Sequence, residues 1–315
     1  IDAAGRSLAA RIPVPAAPVA EAPAPAEEAP EAPAPAAAPA PAKAPEAVAA
    51  AEAPVDPYYE LKKAGERDEF VLTIVHTNDV HGRLEESSTS MGVAKIATVI
   101  EYIQGASENT LILDAGDALH GTNAVTLSEG ASMARLMNGT YDAMAPGNHD
   151  FNYGVERVLE LDAMTDFPFL SANVTRNGEL LFQPYKVFDY YGFKVAVVGL
   201  TTPETAYKTH PRNIEGVYFD QPPAWALEDP SRYGSASLAE AAVLMQAGVD
   251  LLREEADMVI VLAHLGMDDE SEITSTLIAE HIDGIDLIID GHSHTVLPEG
   301  LVVDGTVIAQ AGEYG

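Results

Sequence analysis

The chain contains no cysteine in 315 residues, which excludes disulfides and thiolate metal ligation alike. Basic residues are scarce: 17 Lys and Arg stand against 49 Asp and Glu, for a net charge of −32. Nucleic acid and anionic membrane surfaces are both recognised through basic patches, so neither is an expected partner. No run is long and apolar enough to span a bilayer, and no membrane insertion is expected. The chain opens at Ile1 with no methionine or signal peptide, as a processed or excised piece would.

What is present falls into two materials. Residues 1–57 hold 13 of the 22 prolines, set in Ala-Pro-Glu repeats such as Glu21-Ala22-Pro23-Ala24-Pro25-Ala26. Proline at this density blocks helix and sheet, and alanine buries too little to offset chain entropy. A disordered, extended Ala/Pro/Glu-rich linker is expected there. A partner-binding tract is the other reading, but no aromatic residue and only Arg6, Arg11 and Lys43 as basic residues accompany the prolines, with no pattern of specificity residues. From Tyr58 to Gly315 the pattern becomes globular and suits one large α/β domain. Val93, Ile96, Ala97, Ile100 and Ile103 form one apolar helical face, and Leu238, Ala241, Ala242, Met245, Val249 and Leu252 another. Gln221–Ser237, with Pro222-Pro223 and Asp229-Pro230, reads as a long excursion between elements. The linker carries −5 of the charge and the globular part −27.

Five short aliphatic runs, Phe70–Val75, Thr110–Leu113, Ala143–Ala145, Met258–Leu262 and Ile285–Ile289, read as buried strands. A polar cluster follows each one. Asp79 and His81 lie in Asn78-Asp79-Val80-His81-Gly82, Asp117 in Ala115-Gly116-Asp117, and Asn148 in Gly147-Asn148-His149-Asp150. His264 lies in Ala263-His264-Leu265-Gly266, and His292 and His294 in Gly291-His292-Ser293-His294. Ligands of open α/β sheets gather at the carboxyl ends of strands, so the five clusters point to one shared site. The donor set suits two divalent metal ions, zinc, manganese or similar. One ion would take Asp79, His81, Asp117 and His294. The other would take Asp117, Asn148, His264 and His292, with Asp117 bridging. Two ions about 3.5–4 Å apart generate hydroxide near neutral pH and clamp the oxygens of an in-line displacement at phosphorus.

Singly, each group has a plainer reading. A strand-end aspartate such as Asp79 or Asp117 is often a helix cap or turn former, His264 a satisfied core side chain, and Gly-His-Ser-His a polar turn. Those readings must hold together five times to defeat the site. His76, His120, His210 and His281 fit no ligand position; His281 is expected on the surface, and His210 lies in a loop that could approach a substrate.

The clusters, with Gly116-Asp117-Ala118-Leu119-His120-Gly121-Thr122, Gly147-Asn148-His149-Asp150-Phe151-Asn152-Tyr153-Gly154 and Gly199-Leu200-Thr201-Thr202-Pro203-Glu204-Thr205, resemble the calcineurin-like metallophosphoesterases. Within them, they are similar to the secreted bacterial 5′-nucleotidase/UDP-sugar hydrolase branch. The resemblance runs from Phe70 to the last residue. It implies a four-layer α/β sandwich, two mixed sheets flanked by helices. It also implies hydrolysis of nucleotide phosphate esters, with His149 stabilising the transition state or protonating the leaving oxygen and Asn148 and His149 touching substrate. In well-known bacterial members a carboxylate three residues on orients that histidine. Here the position is Asn152, with Asp150 as an adjacent alternative, although successive side chains rarely converge. A second, C-terminal domain that grips the nucleoside is implied beyond Gly315. Without it, Tyr207, Tyr218, Phe219 and Trp225 are the candidates to stack on a base, against a packing role for each. A nucleotide or other small phosphate ester is the expected partner, and a bacterial cell surface, with cell-wall tethering, the expected location. UDP-sugar or cyclic-nucleotide phosphodiesterase activity shares the same site chemistry. A non-catalytic surface binding module is the alternative from another class.

Overall fold

A computed structural model describes residues 71–219, 238–269, 271 and 273–314. The linker at 1–57, the excursion Gln221–Ser237 and Trp225 lie outside the described residues.

The first sheet is parallel, in the order β1 (Thr73–Thr77), β2 (Thr110–Asp114), β3 (Ala143–Met144). Helix α1 (Val93–Ala106) crosses from β1 to β2. Short helices α2 (Asn123–Thr126) and α3 (Ala131–Met137) lead to β3, and a 3-10 turn at His149–Tyr153 leads into α4 (Val155–Met164). A three-stranded antiparallel patch joins β4 (Thr175–Arg176) to β5 (Glu179–Leu180) and β8 (Val217–Tyr218). The second large sheet contains β6 (Tyr185–Tyr190), β7 (Phe193–Thr201), β9 (Met258–His264), β10 (Leu287–Ile289), β11 (Leu301–Val303) and β12 (Thr306–Ala309). Its order is β11-β12-β10-β9-β7-β6, with parallel strands inside and an antiparallel strand at each edge. Helix α5 (Thr205–Lys208) follows β7, α6 (Leu238–Glu255) precedes β9, and α7 (Ser275–His281) lies between β9 and β10.

The layering follows from strand geometry. Successive side chains on a strand point to opposite faces, and here both faces are apolar. On β2, Leu111 and Leu113 join one core cluster and Ile112 another. On β9, Ile260 and Leu262 join the cluster of Leu111 and Leu113, while Val259, Val261 and Ala263 face α6 and α7. One core therefore lies between the two sheets and one lies under the helices on each outer side. This is the four-layer arrangement that the family resemblance implies, where the sequence pattern alone implied only an α/β domain. Strands buried on both faces read as continuous aliphatic runs, which is why the runs were visible. Strand β9 reaches His264 itself, so that side chain is fixed by sheet pairing, with Thr201 of β7 as its register partner.

Of the predicted helical faces, Val93, Ile96 and Ile100 of α1 are buried, as are Met245, Val249 and Leu252 of α6. Phe219 is buried, its ring 5.1 Å from that of Phe151, so it packs the core. Tyr207 and Tyr218 are exposed.

Candidate metal centre

The loops after β1, β2, β3, β9 and β10 bring their polar clusters together through an unusual backbone. Ten described non-glycine residues have positive φ, and five of them are Asp79 (52°), His81 (47°), Asp117 (57°), His292 (75°) and His294 (53°). The left-handed region costs an L-residue roughly 1–2 kcal/mol, and it persists only where surrounding structure holds it. Backbone bonds do so here: Asp79 N–H donates to Gly116 O at 2.9 Å and His81 N–H to Asp117 O at 2.8 Å. His292 N–H donates to Asp79 Oδ2 at 3.0 Å. At Gly147, an added Cβ would fall 2.2 Å from Asp117 Oδ1, so only glycine lets that loop pass.

The side chains converge. His294 Nε2 lies 3.3 Å from Asp79 Oδ1, and His81 Nε2 lies 3.8 Å from that oxygen and 3.3 Å from His294 Nε2. His264 Nε2 lies 3.3 Å from Asp117 Oδ2 and 4.0 Å from Asp79 Oδ1. Asp79, His81 and His294 thus form one group able to hold a metal ion, and Asp79, Asp117 and His264 another. His292 takes a neighbouring place, its ring 5.1 Å from that of His264 and its Nε2 2.9 Å from Glu204 Oε2.

Buried polar atoms normally find hydrogen-bond partners. Asp79 Oδ1, Asn148 Oδ1 and His264 Nε2 are buried and have none. Three unpartnered donor atoms, all on predicted ligands, fit a divalent cation, because such a cation is the partner a carboxylate, a carboxamide oxygen and an imidazole nitrogen share. The electrostatics agree. Burial opposes the charge of Asp117, yet the adjoining His264 imidazole holds its carboxyl below the ordinary range. For His294, the Asp79 carboxylate 3.3 Å away raises the pKa above its usual value. Burial lowers those of His81 and His292, and keeping these rings neutral keeps them competent as ligands.

The calcineurin-like phosphoesterase family profile matches residues 72–296. The chain belongs to that family. The human 5′-nucleotidase is 36% identical over 249 residues, which cover 73% of this chain and 39% of the human protein. The chain therefore spans about two fifths of the length of that curated relative. A 5′-nucleotidase precursor from Thermus thermophilus superposes with a TM-score of 0.62 at 29% identity, covering 78% of this chain and 50% of that one. The NAD nucleotidase of Haemophilus influenzae gives 0.61 at 25% identity, covering 77% and 45%.

For this phosphoesterase, His149 stands at the edge of the ligand groups. Its ring lies 5.3 Å from that of His81, its N–H donates to Asp117 Oδ1 at 2.7 Å, and the Asn152 amide nitrogen lies 2.8 Å from its Nδ1. Asp150 turns away from it. The Asp150 carboxylate accepts from the backbone N–H groups of Asp117, Leu119 and Gly147. Among the four histidines set apart from the ligands, His210 is exposed and its Nδ1 accepts from Arg212 N–H, and His281 is exposed at the end of α7. His120 stacks on His149 with ring centroids 5.6 Å apart and planes 7° from parallel. Glu204, Asp290, Glu313 and Asn78 also serve this region: Asn78 and Asp290 directly follow β1 and β10, whereas no periodicity or strand end marks Glu204 or Glu313. The Asn78 amide nitrogen donates to Asp79 Oδ2 and to Gly312 O.

Proposed function

We propose that this chain is the catalytic part of a 5′-nucleotidase-type phosphoesterase, hydrolysing phosphate esters of nucleotides at a site for two divalent ions. The observation that carries the reading is that Asp79 Oδ1 and His264 Nε2, both in ligand groups that share Asp79, are buried without a hydrogen-bond partner, as is Asn148 Oδ1. Asp79, His81, Asp117 and His294 would hold one ion, and Asp117, Asn148, His264 and His292 the other. Bound there, such ions supply Lewis acidity toward phosphoryl oxygens and lower the pKa of water.

The chain's own residues supply positioning and a proton. The Asn148 carboxamide and the His149 ring face the phosphoryl group. An amide nitrogen donates, so the 2.8 Å contact from Asn152 makes His149 Nδ1 an acceptor and leaves the ring proton on Nε2. From there it can hydrogen-bond the developing charge or protonate the leaving oxygen. The net charge of −32 makes a surplus of positive charge at the site a condition for binding an anionic ester. The Pro/Ala composition of residues 1–57 supports a spacer ahead of the catalytic domain, and with it export and cell-surface tethering. The 39% coverage of the human relative supports a separate substrate-binding domain in the whole protein.

The test is turnover of a nucleoside 5′-monophosphate, a chromogenic phosphate monoester and the matching diester, with added manganese or zinc and after chelation. Monoester hydrolysis that chelation abolishes is expected. A diester preference would favour the phosphodiesterase reading. Two bound ions without turnover of any ester would leave a binding module.

A further inference from the structure

Three histidines of the site each have one ring nitrogen against an acceptor. His264 Nδ1 lies 2.6 Å from Ala115 O, His294 Nδ1 lies 2.8 Å from Glu313 Oε2, and His292 Nε2 lies 2.9 Å from Glu204 Oε2. An imidazole that donates from one nitrogen keeps its lone pair on the other, so the acceptor fixes which nitrogen can meet a cation. For His264 the free atom is Nε2, the buried unpartnered one. For His294 it is Nε2, 3.3 Å from Asp79 Oδ1. For His292 it is Nδ1.

The His292 arrangement carries an extra group. The Glu204 side chain is 1% exposed, and Lys208, one turn along α5, sets its Nζ 2.6 Å from Oε2 and 2.9 Å from His292 Nε2. A buried carboxylate is costly unless matched by charge, and Lys208 supplies the match. Two donors thus compete for one oxygen, and because an ammonium only donates, its 2.9 Å approach to Nε2 opposes a proton on that nitrogen. The lysine is the movable member, with its side chain 43% exposed, whereas the His292 side chain is 6% exposed. The contact between Glu204 and His292 is the fixed one.

We propose that Glu204 is a positioning residue for the metal centre, holding His292 with its proton on Nε2 and Nδ1 free for a divalent ion. In the same arrangement Lys208 weakens that ion's binding by placing a positive charge beside the ring. This rests on the two-ion reading above and deepens it.

Calorimetric titration of the metal-free 315-residue chain with Mn²⁺ or Zn²⁺ tests it. E204Q keeps an acceptor but loses the charge. It should lower the affinity for one of the two ions by roughly tenfold to a hundredfold and leave the other unchanged. K208M should raise the affinity for that same ion. Opposite signs separate positioning from general loosening, which would weaken both. Nitrogen NMR of the parent should place the His292 proton on Nε2, a reading that holds even if E204Q fails to fold. Unchanged affinities in E204Q, weaker binding in K208M, or a proton on Nδ1 would each overturn the proposal. A parent that takes up only one ion would sink the two-ion reading itself, an outcome separate from two ions bound with no effect of E204Q.

Discussion

Asp150 and Asp290 do the same work on opposite sheets. Each is a fully buried carboxylate that collects three backbone N–H groups. Asp150 takes those of Asp117, Leu119 and Gly147 at 2.8–2.9 Å. Asp290 takes those of Leu265, Gly266 and Gly291 at 2.9–3.2 Å. Each ties the loop after one strand to the loop after its neighbour, β2 to β3 in one sheet and β9 to β10 in the other. The candidate ligands ride on the end of β9, where His264 sits, and on the loops after β1, β2, β3 and β10.

Removing either carboxylate leaves three buried donors without an acceptor. Each such donor costs about 1–3 kcal/mol, so Asp290→Ala should destabilise the fold by at least ~3 kcal/mol. Asp290→Asn, which keeps one acceptor oxygen, should cost less. Urea unfolding midpoints measure both. A change of under ~1 kcal/mol in the alanine variant, the scale of a single ordinary hydrogen bond, would mean that water replaces the carboxylate.

Metal removal gives a second expected outcome. Asp79 and Asp117 are buried with His81, His264 and His294 around them. The parent chain should therefore bind two divalent ions in a nitrogen and oxygen environment, and chelation should abolish ester hydrolysis. Asp79→Ala should saturate at one ion. Asp117→Asn should be the most damaging single change, because in the proposed allocation that carboxylate would serve both ions. Elemental analysis of dialysed protein decides this, and a parent that never exceeds one ion under saturating metal refutes it.

A third outcome concerns pH and lies away from the site. Burial raises the pKa of Asp162 above its ordinary value, although its carboxylate accepts from Phe169 N–H at 2.8 Å. An acid held above its usual range binds its proton more tightly folded than unfolded. Stability from this group is therefore fullest below the unfolded value of about 4 and declines as pH rises through the folded one. Asp162→Asn keeps an acceptor and cannot ionise, so it should flatten that decline. Unfolding free energies across acidic pH provide the measurement; an identical slope in parent and variant would remove Asp162 as its source.

Much of this architecture could be read from the chain because both large sheets bury both faces. Thr110–Leu113 and Met258–Leu262 announce β2 and β9 as unbroken aliphatic runs, and the residues that end such runs are the ones a parallel sheet presents together. Asp79, Asp117 and His264 were legible for that reason. The supporting groups were not. Glu204 meets His292 across 88 positions, and Asn78, although it directly follows β1, meets Gly312 across 234, and no spacing in the chain announces either pairing. The two-residue strands β3, β4, β5 and β8 are too short to carry a period. His120 offered no ligand spacing and makes no ligand contact, yet the loop after Asp117 returns it to stack on His149.

The last prediction separates the two partners of His149. Asn152 lies 2.8 Å from its Nδ1, whereas Asp150 is committed to three backbone donors. If Asn152 orients the ring, Asn152→Ala should lower kcat by roughly tenfold or more while KM changes little. The ring acts on charge that develops in the transition state, and an interaction made only there appears in kcat. His149→Ala should cost about 10²–10⁴ in kcat, the range for a positioned acid or base. The double variant should be no worse than His149→Ala alone, because Asn152 acts only through the ring. Steady-state kinetics on a monoester of high leaving-group pKa and on an activated aryl ester sharpen the result. The loss in both variants should shrink for the activated ester, whose leaving oxygen needs no proton. Equal losses on the two esters would assign His149 to phosphoryl binding and remove it from proton transfer.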